Sequence, residues 1–225
     1  TYLDILRLGF PSLSRQGLAG ISTAALNVAA SSYGDPAVAA MSIVVRLFVF
    51  IFSLMVGLGQ GFIPVVGFNY GSGRYKRVAD AFWFTVKIGM GLMSLLTVIG
   101  LIFATDIIAL SRREDALVIE IGAKAMRFQC CVLLLQPFCI ATNMMHQATG
   151  YALRSTFLSC MRQGIYFLPL ILILKPAFGL TGVEITQTIS DILSFLTTLP
   201  FLYIFINMLR EKGGYKKQRR RRLWH

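Results

Sequence analysis

Six stretches of the chain contain no Asp, Glu, Lys or Arg: 16–34, 47–73, 88–105, 128–153, 163–174 and 192–209. A helix needs ~20 mostly apolar residues to cross a ~30 Å hydrocarbon layer. Five of the six stretches reach or approach that length, and 163–174 does so once Thr156–Met161 is added before it. The pattern predicts six membrane-crossing helices over about 11–33, 37–68, 76–105, 123–148, 155–175 and 180–209. No run alternates apolar and polar residues with period two over ~10 positions, as barrel strands would.

The predicted connections are short and carry turn chemistry: Tyr33-Gly-Asp-Pro36, Tyr70-Gly-Ser-Gly73, Thr149-Gly-Tyr151 and Lys175-Pro-Ala-Phe-Gly179. Only Asp106–Gly122 leaves room for an interfacial helix of its own. Pro64, Pro137, Pro169 and Pro200 fall inside spans, where each reads as a kink or a hinge. Residues 1–10 form a lead-in, 11–209 the six-helix unit and 210–225 a basic tail.

Composition supports the pattern. Of 225 residues, 56% are hydrophobic and 14% charged, and the mean hydropathy is +0.67. Such a chain cannot stay disordered in water and is ill suited to an ordinary soluble fold. The fold class is therefore an all-α integral membrane protein, a six-helix bundle. The formal charge of +12 is not a nucleic-acid signal, because much of it lies in Lys216–Arg222, where anionic lipid headgroups are the natural partner.

Basic residues set the expected orientation. With Thr1 inside, the inner segments hold Arg7, Arg74, Lys76, Arg77, Arg154, Arg210, Lys212, Lys216, Lys217 and Arg219–Arg222. The outer segments hold Arg112, Arg113, Lys124 and Lys175. Thirteen against four places both termini in the cytoplasm and the chain in the cytoplasmic membrane.

Polar residues recur at helical spacing in three spans. Gln129, Gln136 and Asn143 step by seven, with Gln147 a turn further. Glu184, Gln187, Asp191, Ser194 and Thr198 step by three and four, as do Gln16, Thr23 and Asn27 to within a helical face. Polar groups avoid lipid, so these faces either bond helix to helix or line a shared wet cavity. Three stripes together favour the cavity, with Gln16, Asn27, Gln129, Gln136 and Asn143 as its wall.

Two charges lie deep. Asp191 is ~14 Å inside the sixth helix at 1.5 Å per residue, and Arg46 is at similar depth in the second. An unpaired charge at the midplane costs at least ~2.5–3.5 kcal/mol. Arg46 and Asp191 can offset that by pairing, or Asp191 can take up a proton. Either a structural ion pair or a coupling element results, and Glu184 joins them as a further acidic candidate. Arg15 and Arg162, each in an Arg-Gln-Gly tripeptide (15–17 and 162–164), and Lys87 read as snorkelling to headgroups.

Cys130, Cys131, Cys139 and Cys160 lie in apolar sequence without CxxC or nearby His, so no metal or disulfide framework is expected. His146 reads as an ordinary polar interface residue. Gly57-Leu-Gly59-Gln-Gly61 misses the dinucleotide fingerprint, and Gly67–Gly73 lacks the Lys-Ser/Thr of a phosphate loop. No nucleophile–base pair points to an enzyme.

The run Gly59-Gln-Gly-Phe-Ile-Pro-Val-Val-Gly-Phe-Asn-Tyr-Gly71, followed by Arg77-Val78, resembles the MATE (multidrug and toxic compound extrusion) family, in its DinF/MepA-like branch. Gly9-Phe-Pro-Ser12 with Arg15-Gln16 is similar to the start of that family's seventh helix. Gly34-Asp35, Ala39-Ala40-Met41 and Arg46 resemble its eighth. Arg162-Gln163, Pro169, Gly179-Leu-Thr-Gly-Val183 and Asp191 resemble its eleventh and twelfth.

The resemblance implies a twelve-helix transporter of two six-helix lobes, with this chain as the C-terminal lobe and the N-terminal lobe as its partner. It further implies exchange of H⁺ or Na⁺ for cationic amphipathic drugs, with no cofactor beyond the coupling ion. The acids that help form a cation site in the seventh and tenth helices of some members have no counterpart here, which directs attention to the other lobe. Rival readings are a flippase of lipid-linked sugars or peptidoglycan precursors from the same superfamily, and a self-assembling six-helix scaffold or channel. A flippase cavity would need several cations for a pyrophosphate, and among the deep charges Arg46 is the main candidate.

Overall fold

The computed structural model describes residues 2–111 and 115–213, the side chains of 2–8 and 11 excepted. Regular structure among them is entirely helical: α1 Tyr2–Ser31, α2 Asp35–Gly71, α3 Tyr75–Ile102, α4 Ala104–Ser111, α5 Ala116–Cys130, α6 Gln136–Ala148, α7 Ala152–Cys160 and α8 Phe167–Lys212. A 3₁₀ turn, Leu133–Leu135, joins α5 to α6, and a π-helical segment, Met161–Tyr166, joins α7 to α8. The first helix begins within the predicted lead-in, and α4 occupies part of the predicted interfacial segment. Most of the basic tail, with Arg112, Arg113 and Glu114, lies outside the described residues.

Among the described residues, three stretches are long and apolar enough to cross a membrane: Asp35–Gly71, Tyr75–Ile102 and Ala152–Lys212. The last is two passes. Gly179 has φ 61° and ψ −136°, a conformation only glycine adopts cheaply, and the chain reverses there. Contacts across the reversal follow an antiparallel hairpin, from Leu174 beside Gly182 to Phe157 beside Phe201. The expected fourth span is also interrupted. Pro137 has no N–H to give to the preceding turn, so the helix breaks before it and restarts with Pro137 in the first turn of α6, where no donor is required.

Among the described residues, contacts gather the helix ends into two groups, one at each end of the bundle. At one end Gln147 donates to Ser12 (3.2 Å), and Lys212 donates to Tyr70 (3.3 Å), whose hydroxyl meets that of Tyr151. At the other end Lys175 donates to Ser32 (2.8 Å), Lys124 to Thr181 (2.8 Å) and Arg127 to Thr105 (3.4 Å). Asp115 caps α5 by accepting from the Val118 N–H. Residues such as Phe50, Leu110, Leu172 and Tyr203 stand fully outward. An apolar exterior of this kind needs lipid around it, and the molecule is a membrane helical bundle.

Small residues let the helices approach closely. A side chain at Gly59, in the Gly-Gln-Gly run, would meet the Met144 thioether of α6. At Gly89 of α3 it would meet Met55 (2.9 Å) and Pro137 (3.0 Å). His146 is buried beside Phe205 (ring centroids 4.8 Å apart) with Nδ1 2.8 Å from the Thr142 carbonyl oxygen, which fits its expected place in a helix interface.

The tightest approach is at Gly182, where an added Cβ would collide with the Leu174 backbone carbonyl. Backbone cannot swing aside, so Gly182→Ala is expected to cost about 1–3 kcal/mol. Gly91→Ala, which points into open space, should leave the melting temperature in detergent unchanged, and comparing the two melts checks the claim.

Candidate transport cavity

A cavity of about 300 Å³ lies inside the bundle, walled by α1, α2, the α5–α6 break, the α7–π segment and both arms of α8. Its lining on α2 runs from Met41 to Val56, a height of ~22 Å at 1.5 Å per residue. Val44, Phe48, Phe52, Ile140 and Phe167 provide apolar wall, and Gln16, Gln129, Gln136, Asn143, Gln163 and Gln187 provide amides.

The polar stripes divide between the two roles open to them. Gln16, Thr23, Gln129, Gln136, Asn143, Gln187, Ser194 and Thr198 reach the cavity. Asn27 does not; its Oδ1 is buried without a hydrogen bond. Asn143 also acts as interhelical glue, donating to the Ser155 carbonyl (2.8 Å) and the Ser159 hydroxyl (2.9 Å) while accepting from the Ser155 hydroxyl (3.2 Å). Gln147 is spent at the bundle end on Ser12.

Asp191 is 2% exposed and fully engaged. Oδ1 accepts from Arg162 Nε (2.6 Å) and Gln187 Nε2 (2.9 Å). Oδ2 accepts from Gln136 Nε2 (2.9 Å) and from an Arg162 terminal nitrogen (3.5 Å). The guanidinium of Arg162 lies over the Phe52 ring, 4.6 Å from its centroid. The expected pairing of Asp191 with Arg46 is therefore corrected: its partner is Arg162. Gln136 and Phe52 put Asp191 level with residues 52–55 of α2, ~9–13 Å along the helix from Arg46. Arg46 itself is exposed and does not line the cavity. Glu184 sits outside the cavity as well, in an ion pair with Lys124 (3.1 Å) at the bundle end that holds Lys175.

Snorkelling does not describe Arg162, whose charged head turns inward to the carboxylate. The π-helical segment that carries it explains the turn. A π-helix disturbs the i→i−4 ladder, and hydroxyls from two other helices bond to its carbonyls: Ser190 donates to Arg162 O (2.5 Å) and Ser22 to Gln163 O. Gly164 of the same segment lets Leu18 of α1 close in. Reading Arg-Gln-Gly at 162–164 as an ordinary helix hid this; the serines at 22 and 190 were the available signal.

A membrane helical bundle with an amide-rich cavity and a neutralised charge pair beside it has the build of a transporter. The MatE family model matches residues 11–173, and the chain belongs to that family, whose members are transporters rather than enzymes. Multidrug export protein MepA of Staphylococcus aureus (strain COL) is 28% identical over 209 residues, covering 92% of this chain and 45% of MepA. MepA of Staphylococcus saprophyticus is 24% identical over 209 residues, with the same coverages. The chain thus spans about half the length of these relatives.

Among solved structures, MATE in the bent conformation superposes with a TM-score of 0.86 at 23% identity, over 94% of this chain and 47% of that one. An outward-facing multidrug resistance MATE transporter of the MOP superfamily gives 0.84 at 23% identity, over 93% and 47%. A MOP-superfamily transporter from Pyrococcus furiosus, described by the reverse polarity of its binding pocket, gives 0.85 at 22% identity, over 92% and 47%.

The Asp191–Arg162 pair makes a quantitative prediction. Arg162→Ala strands the buried Asp191 carboxylate and should cost about 3–5 kcal/mol of stability, and Asp191→Ala, which leaves a guanidinium open to the cavity, should cost less. The double variant should cost clearly less than the sum of the two, as measured by thermal melts of the full-length protein in detergent.

Proposed function

We propose that the chain is the C-terminal lobe of a multidrug exporter that moves amphipathic molecules out across the cytoplasmic membrane in exchange for H⁺ or Na⁺, both termini facing the cytoplasm. The observation that carries this reading is the cavity itself: a drug-sized apolar space rimmed by amides, in the middle of a lipid-embedded bundle of MatE-family fold. The likeness to MepA supports export as its use.

The outer face of α1 and α2 supports a second lobe. Arg46 and Gln60 are exposed there, well inside α2, and Gln16 and Ser53 are exposed where the cavity opens onto it. Facing acyl chains they would be costly, so this side meets the rest of the protein or a wet cleft between the two lobes. Asp191 is the proposed coupling group. A proton or Na⁺ arriving at its carboxylate competes with Arg162, and displacing Arg162 loosens the π-helical segment that Ser22 and Ser190 hold. Arg46 acts on the cleft side, and Glu184 as half of a bundle-end pair.

Cationic drugs, the expected cargo, would find apolar wall in this lobe but no carboxylate in its lining, so their counter-charge would come from the other lobe. The lipid-precursor flippase reading gains support from the same lining, which presents Arg15 and Arg162 rather than Arg46.

Two measurements test the proposal. Full-length protein in proteoliposomes should expel a fluorescent drug when an inward H⁺ or Na⁺ gradient is imposed. Asp191→Asn should flatten the dependence on that ion by at least about tenfold while leaving drug binding in place; unchanged coupling would remove Asp191 from the mechanism. Cysteines at Ser53 and Gln60 should react with an aqueous maleimide and resist a lipid-dissolved quencher, and the reverse pattern would dismiss the second-lobe face.

A further inference from the structure

The repeated tripeptide Arg-Gln-Gly is not used up by the coupling scheme. Its two copies lie on α1 and on the π-helical segment, which run side by side: Leu18 packs on Gly164, and Ser22 bonds to Gln163. Both arginines consequently open onto the one cavity. Among the described residues no carboxylate joins them in the lining. Arg162 uses Nε and a terminal nitrogen on Asp191. Arg15 has no hydrogen bond or ion pair with any described residue, although it is only part-exposed.

We infer that the Arg15 end of this cavity is a binding site for the anionic headgroup of an amphiphile, a carboxylate or phosphate carried on an apolar tail. Two guanidinium groups against one carboxylate leave a net charge of one positive unit at that end. Guanidinium forks suit carboxylate and phosphate oxygens, and the flanking amides of Gln16 and Gln163 add donors. From the arginine end the lining passes Phe52, Phe48 and Val44 toward Met41, an apolar slot for the tail. A volume near 300 Å³ is at the small end of ligand pockets and suits one short-chain amphiphile. The inference rests on the cavity being a cargo site and names the class of cargo this lobe selects.

The test uses full-length protein in a non-ionic detergent and isothermal titration calorimetry with octanoate, octyl phosphate, octyltrimethylammonium and inorganic phosphate. The two anionic amphiphiles should bind at least about tenfold tighter than the matched cation, and inorganic phosphate alone should bind weakly. Arg15→Gln should abolish the preference and Arg15→Lys retain most of it. Raising the salt concentration should shrink it in the wild type, a readout that needs no variant to fold.

Equal or tighter binding of octyltrimethylammonium, or a preference that survives Arg15→Gln, overturns the proposal. Inorganic phosphate binding as tightly as octyl phosphate would overturn the amphiphile part by showing a simple anion site. Lost transport with the anion preference intact counts against the export reading alone, whereas intact transport without the preference counts against this one.

Discussion

A carboxylate in the middle of a lipid-embedded bundle constrains everything around it. Asp191 must be neutralised where it stands, and the structure does so with Arg162, two glutamine amides and an aromatic face beneath the guanidinium. Removing two charges from water is costly, so the pair is poor evidence for stability as such. What it enforces is geometry. The hairpin around Gly179, the π-helical segment and the broken fourth pass must all bring their groups to one level, or the charge is left stranded.

That level is where two helices depart from regular α geometry. The 3₁₀ turn ahead of Pro137 places Gln136 against Asp191, and the widened turn at Met161–Tyr166 places Arg162 there. Discontinuous helices near the membrane centre are common in transporters because they free backbone and side-chain groups for ions and substrates. Here the backbone groups at the π segment are met by Ser22 and Ser190, so the irregularity ties three helices together.

The bundle was legible from the distribution of charges because water and hydrocarbon sort side chains so strongly. Turn glycines at 34, 73, 150 and 179 marked the connections, and each has a positive φ. The stripes pointed to the cavity for Gln16, Asn27, Gln129, Gln136 and Asn143, and the lining holds all but Asn27, since periodicity gives a face and says nothing about which neighbour covers it. Pairing Asp191 with Arg46 failed for a physical reason. Depth counted from one helix end ignores how far each helix protrudes, and α2, with 37 residues, is much longer than the hydrocarbon is thick. Arg162 looked too near the surface because an arginine's reach can be spent inward as well as outward.

Methionine sulfur stands opposite glycine at two joints of α2, Met144 over Gly59 and Met55 over Gly89. A thioether chain is unbranched and has many low-energy shapes, and a glycine offers no knob to lock against. At both joints the thioether fills the notch that the missing side chain leaves. The second helix thereby meets two neighbours through unbranched, readily reshaped side chains seated on glycine.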